Sequence, residues 1–368
     1  MKVVCKQVEL AEALNVVSRA IGSNSTLPIL NNILLEAKGN ALWLSATNLE
    51  VAIKTKIICN VEFEGSITVP AKLFFSYVNL LSKEDLVLEE LDDLSLSVSG
   101  SSSETKIKGL KAEDYPTMPE VSNEVSFDVN SKVFSSALKK VVFSCSSKAD
   151  RPFLAGVYMF TEKNQFYLVA TDSYRLSECS IDLDKNVEGI SCIIPSKTMG
   201  ELEKIMEMNP KQNVEVILGQ SQIAFRCGET LVLSRLIDGQ FPDYKKIIPA
   251  EHKTSVSLGL SDLQQALKRV SLFAKEVEDA VSLEFDSDKE KVFLSTQETL
   301  IGTDKNEISI AISGESTKIS VNSQYLMDVL NVIGDSVVSL HVTDRILPIK
   351  VLDKKEPNFQ YIIMPLKV

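Results

Sequence analysis

The sequence predicts an α+β protein of three repeated domains, each with two helices packed on antiparallel sheets. One succession of helix and strand patterns occurs three times in 368 residues, opening near residues 10, 134 and 263. A repeat this long can bury its own core, unlike the ~20–50-residue units of solenoids and propellers. We therefore predict domains at 1–120, 127–249 and 253–368, connected by polar segments beside a proline at 117–126 and 249–255.

Each repeat begins with an amphipathic helix. Its apolar residues stand at offsets of three, four and seven, which places them on one helical face. The three sets are Leu10, Ala13, Leu14 and Val17; Phe134, Ala137, Leu138 and Val141; and Leu263, Ala266, Leu267 and Val270.

The elements after the first helix recur in a fixed order. A strand-like run that contains Ala-Thr or Ser-Thr comes next, at 43–50, 167–175 and 293–300. A short strand then leads into a second helix, at 67–81, 192–206 and 319–333. Alternating strands follow at 86–100, 214–227 and 337–351. The repeats close on Tyr115-Pro116, on Phe241-Pro242 and on residues 359–368.

Composition limits the class of protein. The hydrophobic content of 44% and charged content of 24% are typical of a globular protein. Six cysteines without a CxxC pair favour reduced thiols and a cytoplasmic location. No apolar run reaches the ~18 residues of a membrane span and no signal-peptide core is visible, so we expect no membrane contact. The net charge of −11 argues against a general nucleic-acid binder, unless basic residues gather on one surface.

The sequence lacks recognisable motifs for catalysis, metal binding or cofactors. The two histidines, His252 and His341, have no ligand-like neighbours, and no glycine-rich nucleotide loop occurs. We expect no catalytic residue, no metal and no cofactor. Three copies of one domain without a copy-specific chemical motif favour a scaffold over an enzyme.

Basic residues recur at matching positions of the repeated helices. Lys139 and Lys140 lie opposite the apolar face of the second repeat's first helix, and Lys268 and Arg269 take the same wheel positions in the third. Lys72 and Lys197 stand at the start of second helices. These cations predict a locally positive surface that is suited to phosphate contact without base reading.

Five motifs occur in an order that resembles one family. They are TLPIL at 26–30, VPAK at 69–72, ATDSYRL at 170–176, LIDGQFPDYKKIIP at 236–249 and YIIMPLKV at 361–368. From Met1 to Val368 the chain resembles the beta subunits of bacterial DNA polymerase III, the replication sliding clamps. The resemblance implies that two chains close head to tail into a six-domain ring around duplex DNA.

The resemblance also implies a function that needs no chemistry. A closed ring cannot leave the duplex sideways, slides on weak phosphate contacts, and keeps a polymerase near the primer end. The implied partners are double-stranded DNA without sequence preference, a second copy of the chain, the polymerase alpha subunit, the clamp loader, and other polymerases and repair proteins with clamp-binding peptides.

Three sets of site residues follow from the resemblance. The implied dimer contact joins Thr105 and Ile107 to Leu272 and Phe273 of the second copy. The implied DNA contacts are Asn24, Lys72, Lys148, Arg151, Phe153 and Lys197, beside the helix cations Lys139, Lys140, Lys268 and Arg269. The implied peptide pocket uses Leu154, Thr171, Ser173, Tyr174, Arg175, Leu176, Pro242, Ile247, Ile346, Pro348, Ile362, Ile363, Met364, Pro365 and Leu366.

In that pocket, Met364 is expected to be a deformable filler and Tyr174 and Arg175 polar handles. The stretch from Thr171 to Arg175 is expected to have no counterpart in the other repeats, which carry TNLEV and TQETL there. Two alternatives stay open from the residues alone. One is an enzyme of nucleotide or nucleic-acid chemistry with an unrecognised carboxylate cluster in a cleft. The other is a monomeric adaptor that binds peptides only.

Overall fold

The computed structural model describes residues 1–22, 27–119, 121, 125–148, 150–208, 210, 212–298, 300 and 302–366. These residues fall into two compact units. The first unit comprises residues 1–132 and 201–236, and the second comprises residues 133–200 and 237–368. Each unit contains one large and one smaller antiparallel sheet with helices packed on them. This architecture confirms the predicted α+β class.

In the first unit, the smaller sheet has five strands in the order β5-β1-β7-β8-β9. The strands are β1 (Lys2–Lys6), β5 (Asn60–Phe63), β7 (Asp85–Leu91), β8 (Ser95–Ser99) and β9 (Glu104–Lys108). The strand β9 ends the sheet, so one side of its main chain carries no partner strand among the described residues.

The larger sheet of the first unit has nine strands in the order β10-β6-β2-β3-β4-β18-β17-β16-β11. The strands are β2 (Asn32–Lys38), β3 (Ala41–Thr47), β4 (Val51–Ile58), β6 (Gly65–Pro70), β10 (Leu110–Lys111), β11 (Val125–Asn130), β16 (Asn213–Leu218), β17 (Gln222–Cys227) and β18 (Thr230–Arg235). Strands from before and after the predicted boundary near residue 120 therefore share one sheet, and the three domain boundaries stay a prediction.

In the second unit, the nine-stranded sheet has the order β15-β12-β13-β14-β27-β26-β25-β19-β23. The strands are β12 (Gly156–Glu162), β13 (Gln165–Thr171), β14 (Arg175–Asp182), β15 (Ser191–Pro195), β19 (Thr254–Gly259), β23 (Ile312–Gly314), β25 (Val337–Val342), β26 (Ile349–Asp353) and β27 (Phe359–Ile363). The four-stranded sheet runs β22-β21-β20-β24, from β20 (Ala280–Asp286), β21 (Lys291–Ser295), β22 (Lys305–Ser309) and β24 (Thr317–Asn322).

The described residues form six α-helices, and their apolar faces are buried as predicted. All three sets of opening-helix residues are less than a tenth exposed, and Leu14, Leu138 and Leu267 are fully buried. Burying a leucine side chain stabilises the fold by about 1.5–3 kcal/mol, so these faces attach the helices to the sheets. The helices are α1 (Gln7–Val17), α2 (Ala71–Leu80), α3 (Ser131–Val141), α4 (Ser196–Met208), α5 (Leu260–Ala274) and α6 (Ser323–Leu330).

Local sequence explains where some of these elements begin. The strand β20 alternates half-buried and buried residues, as expected for a strand with one face on the core. The side chain of Asn322 caps α6 by accepting hydrogen bonds from the backbone N–H groups of Gln324 and Tyr325. In the part of the chain that the structure describes, no helix is long and apolar enough to cross a membrane.

Candidate functional site

A tight turn between β13 and β14 positions several of the predicted pocket residues. The hydroxyl of Thr171 donates to the carbonyl of Arg175 at 2.6 Å and accepts from the N–H of Ser173 at 3.1 Å. The carboxylate of Asp172 accepts from the N–H groups of Tyr174 and Arg175 at 2.9 and 3.0 Å. Ser173 adopts a left-handed backbone conformation with φ of 79°. These bonds hold Ser173 and Tyr174 at the surface, where Tyr174 is 51% exposed.

The last strand joins this turn, although it lies nearly two hundred positions later in the sequence. In the β14–β27 ladder, Arg175 lies opposite Ile363 and Leu176 opposite Ile362. The N–H of Met364 then donates to the carbonyl of Tyr174 at 2.8 Å. The structure thus brings the predicted segments 171–176 and 362–366 together.

The predicted pocket residues fall into an exposed set, which we call the wall, and a buried set, which we call the floor. Ile346 is 68% exposed, Ile247 41%, and Pro242 is also exposed, while Met364, Pro365 and Leu366 are half-buried. Leu347, which the sequence reasoning missed, is 43% exposed. The carboxylate of Asp344 accepts from the N–H groups of both Ile346 and Leu347 at 2.8 Å, which fixes the turn that presents them. The apolar pair before Pro348 was the available signal.

The remaining apolar pocket residues form the core beneath this wall. Leu154, Leu176 and Ile362 belong to one buried cluster with Phe241 and Tyr244. Ile363 is fully buried, and Thr171 and Pro348 are buried as well. These side chains support the surface and are not part of its accessible wall. We call the exposed wall together with this floor the main groove.

Arg175, which the resemblance implies is a polar handle of the pocket, is mostly buried. Its side chain is only 11% exposed and donates to Asp172 at 2.9 Å, to Asp328, and to the carbonyl of Phe143 at 2.8 Å. Its guanidinium also lies 4.6 Å from the ring centre of Tyr325. Burial alone would lower the pKa of Arg175, but Tyr361, Asp328 and Asp172 raise it above its ordinary value. Arg175 therefore connects the turn, α6 and the segment after α3.

Two predicted DNA-contact residues touch the rim of the main groove. Arg151 donates to the hydroxyl of Ser173 at 3.2 Å, and the ammonium of Lys148 lies 5.9 Å from the ring centre of Tyr174. Both cations are exposed. Phe153 instead packs on the buried cluster and lies against Gly239, so its ring is only half-accessible. Asn24 lies outside the described residues.

The predicted helix cations separate into exposed and buried groups. Lys72, Lys139, Lys197, Lys268 and Arg269 are exposed. For Lys139, Lys268 and Arg269 this agrees with their predicted position opposite an apolar face. The same expectation is wrong for Lys140, which is 4% exposed and forms an ion pair with Glu356. Its ammonium also lies 5.8 Å from the ring centre of Phe359, and burial lowers its pKa. The segment after β26 covers this side of α3, so we withdraw Lys140 as a DNA contact.

The predicted dimer residues lie beside open sheet edges. Thr105 and Ile107 lie on β9, the terminal strand of the five-stranded sheet. Ile107 is 4% exposed and packs inside its own unit, so the expectation of an apolar contact from it is wrong. Leu272 is 66% exposed near the end of α5, and Phe273 is half-buried against Gly302. The helix α5 contacts β22, the terminal strand of the four-stranded sheet, where Arg269 donates to Asn306 at 2.8 Å.

Several cysteine thiols are buried, and the two histidines lie next to each other. Burial raises the pKa of Cys5, Cys192 and Cys227 to about 12, which keeps these thiols protonated near neutral pH. His252 and His341 stack on each other with ring centres 4.0 Å apart. Within the described ranges, no group of three or more His, Cys, Asp and Glu side chains could hold a metal ion.

The turn of the main groove has a counterpart in the first unit, contrary to the sequence prediction. Thr47 donates to the carbonyl of Val51 at 2.9 Å and accepts from the N–H of Leu49 at 3.0 Å. Asn48 accepts from the N–H groups of Glu50 and Val51 at 3.0 and 2.8 Å, and Leu49 has φ of 75°. Thr-Asx pairs can form this turn with different residues at its tip, which hid the equivalence of TNLEV and TDSYR.

Family comparisons cover nearly the whole chain. The N-terminal, central and C-terminal domains of the DNA polymerase III beta subunit match residues 1–119, 128–243 and 245–367. The "Beta sliding clamp" of Staphylococcus aureus strain N315 is 29% identical over 363 residues, which is 96% of each chain. That of a Staphylococcus epidermidis strain is 29% identical over 376 aligned positions, covering 100% of this chain and 99% of its own.

Solved structures agree with these matches. The Bacillus subtilis DNA polymerase sliding clamp has a TM-score of 0.94 at 26% identity, over 100% of this chain and 99% of its own. A Pseudomonas aeruginosa sliding clamp bound to griselimycin has a TM-score of 0.95 at 25% identity, over 100% of both chains.

Arg175 provides a test of how the main groove is held. Replacing it, Arg175→Met, leaves Asp172 and Asp328 without their shared cation in a mostly buried site. We expect a loss of about 3 kcal/mol in the free energy of unfolding, measured by denaturant titration. The exposed Arg151→Met variant should lose about 0.5 kcal/mol or less. Equal losses in the two variants would contradict this account.

Proposed function

The chain belongs to the family of bacterial DNA polymerase III beta subunits and is a processivity sliding clamp, and we propose that two copies close head to tail into a ring around duplex DNA. The proposed ring contains six domains, three from each chain, with boundaries at 1–120, 127–249 and 253–368. The match of three successive beta-subunit domains to this one chain is the observation that carries the proposal.

The proposed ring contact uses the two open sheet edges. Among the described residues no strand pairs with the outer side of β9, and the N–H and C=O groups of such an edge favour strand addition. We place β9 of one copy beside β22 of the other, with Leu272 as the apolar contact next to that seam and Thr105 facing it. This contact joins unlike surfaces, so a second identical contact closes the ring. The buried side chain of Ile107 supports β9 from inside its own unit and makes no contact with the second copy.

Phosphate contact is the proposed role of the exposed cations. Lys72, Lys139, Lys197, Lys268 and Arg269 lie on helices, and Lys148 and Arg151 lie beside the main groove. Lysine and arginine side chains meet phosphates without reading bases, which allows a clamp to slide. The net charge of −11 disfavours DNA on the rest of the surface.

The main groove is the proposed docking site for partner proteins. Its exposed apolar wall fits a short peptide segment from the polymerase alpha subunit, the clamp loader, or other polymerases and repair proteins. Tethering a polymerase in this way raises its local concentration at the primer end. We propose that the chain does this in the cytoplasm without catalysing a reaction, so the enzyme alternative is not favoured. The adaptor alternative shares the peptide docking but has neither the ring nor the DNA contact.

Dimer formation is tested at Leu272. Because a carboxylate there would be buried against the partner's edge strand, Leu272→Asp should shift the mass in light scattering from twice 40.6 kDa to 40.6 kDa. The control Leu80→Asp changes a leucine that is 86% exposed and should leave the dimer intact. A wild-type mass of 40.6 kDa at every concentration would favour the adaptor.

DNA contact is tested through salt dependence. Each phosphate contact contributes about 0.9 to the slope of log affinity against log salt concentration. The double variant Lys72→Ala/Lys197→Ala should therefore lower the slope by roughly 1.8 in fluorescence titrations with a duplex. Lys185→Ala, in an exposed loop, is the control and should keep the wild-type slope. An unchanged slope in the double variant would remove these lysines from the DNA surface.

Peptide docking is tested with griselimycin, the ligand of the Pseudomonas aeruginosa clamp structure. Ile346→Asp places a charge on the apolar wall of the main groove and should weaken griselimycin binding about tenfold in calorimetry. The control is Ile58→Asp, since Ile58 is similarly exposed, at 60%, in the first unit. Equal affinity for the wild type and Ile346→Asp would place the ligand elsewhere.

A further inference from the structure

The first unit contains a second groove beside the turn from Thr47 to Val51. Its volume is about 270 Å³, close to the ~300 Å³ of the smaller ligand pockets. We call it the small groove. Its lining residues are Thr47, Leu49, Glu50, Val51, Ala52, Pro116, Thr117, Met118, Pro119, Gln222, Leu233, Ser234 and Arg235.

The main chain of the small groove repeats that of the main groove. In the β4–β18 ladder of the small groove, Leu233 lies opposite Ala52 and Ser234 lies opposite Val51. The β14–β27 ladder of the main groove has the same register, with Ile362 opposite Leu176 and Ile363 opposite Arg175. The N–H of Arg235 donates to the carbonyl of Glu50 at 2.9 Å. At the equivalent position of the main groove, the N–H of Met364 donates to the carbonyl of Tyr174. An aromatic-proline pair lies beside each groove. Pro116 lines the small groove and the hydroxyl of Tyr115 accepts from Thr47, while Phe241, followed by Pro242, packs in the buried cluster that contains Leu176.

The small groove has its own apolar floor and a fixed tip. Ala52 and Leu233 belong to a buried cluster on which Met118 packs. The hydroxyl of Tyr115 accepts from the N–H of Thr47 at 3.1 Å and donates to the carbonyl of Asn32 at 3.2 Å. Leu49, at the tip of the turn, stays 47% exposed. A bulky apolar ligand group would gain by covering Leu49.

The rim of the small groove differs in charge from that of the main groove. The strand registers place three pairs of residues in equivalent positions of the two grooves. The small groove has Glu50 where the main groove has Tyr174, Arg235 where it has Met364, and Gln222 where it has Pro348. Both Glu50 and Arg235 are exposed. Arg235 is complementary to a carboxylate, while Glu50 disfavours a polyanion such as a nucleic-acid strand.

We propose that the small groove is a second peptide site, which takes an extended segment with a bulky apolar side chain next to an acidic residue. The apolar side chain covers Leu49 and the acidic side chain pairs with Arg235. The proposal rests on the proposed function, because it assumes that the main groove binds peptides and that a groove with the same main-chain architecture does so too. It adds a second site of different charge preference on each chain.

Methyl NMR of the full chain labelled on methionine tests the proposal, because Met118 lies at the small groove and Met364 at the main groove. The probe is N-acetyl-Leu-Asp methylamide, and the matched control is N-acetyl-Leu-Asn methylamide, which lacks only the charge. We expect the Asp probe to shift Met118 saturably and leave Met364 in place. The Asn probe should bind about threefold more weakly, as expected for one exposed ion pair.

Two variants identify the contacts. Arg235→Gln should bind both probes equally, since the preference for Asp depends on its guanidinium. Leu49→Ser should weaken both probes about fivefold by removing apolar contact. Circular dichroism melting checks that each variant is folded. An unmoved Met118, or equal binding of the two probes to the wild type, would overturn the proposal. So would a stronger Met118 shift with a single-stranded thymidine oligonucleotide.

Griselimycin separates this proposal from the proposed function. It should shift Met364 whether or not the small groove binds anything. If griselimycin leaves Met364 unmoved while the Asp probe shifts Met118, main-groove docking fails and the small groove stands. The reverse result removes the small groove alone.

Discussion

Burying the guanidinium of Arg175 is the constraint around which the main groove is organised. A buried cation is tolerated only where opposite charges and acceptors surround it. Asp172, Asp328 and the carbonyl of Phe143 meet this need from three segments of the second unit. The strand that carries Ile362 and Ile363 pairs with the strand that Arg175 begins. The charge network thus lies beside the strands in which Arg175 pairs with Ile363 and Met364 is bonded to Tyr174.

The repeated turn shows how one main-chain device serves two surfaces. Thr-Asp in one unit and Thr-Asn in the other make the same four hydrogen bonds and leave one residue at the tip in a left-handed conformation. The tip and rim side chains take no part in these bonds, so they vary without altering the turn. Ser173 and Tyr174 offer hydroxyl groups, whereas Leu49 and Glu50 offer an apolar group and a carboxylate. The main-chain hydrogen bonds fix the shape of the turn, and the side chains at its tip and rim decide which ligand it suits.

Whether a cation is available to phosphate depends on its position in the fold, because cations of equal charge are buried in one place and exposed in another. Lys140 and Arg269 occupy matching positions of two amphipathic helices, about 110° from the apolar centre. Lys140 is covered and pairs with Glu356, whereas Arg269 is exposed beside β22. A partly buried pair of this kind holds one segment on another and is unavailable to phosphate. The exposed cations on α2, α3, α4 and α5 remain as candidates for the DNA surface.

The sequence by itself determined the helix faces, the threefold repeat and the family, because periodicity and motif order are local properties of the chain. The resemblance also predicted that segments 171–176 and 362–366 belong to one site, and the structure places these segments next to each other. Only the tertiary structure decided which of those side chains are accessible. Lys140 and Arg175 are buried against Glu356 and Asp328, which lie far away in the sequence, and a local sequence pattern does not show such contacts. The equivalence of the turns at Thr47 and Thr171 also became visible only in three dimensions, because hydrogen bonds define it and side-chain identity does not.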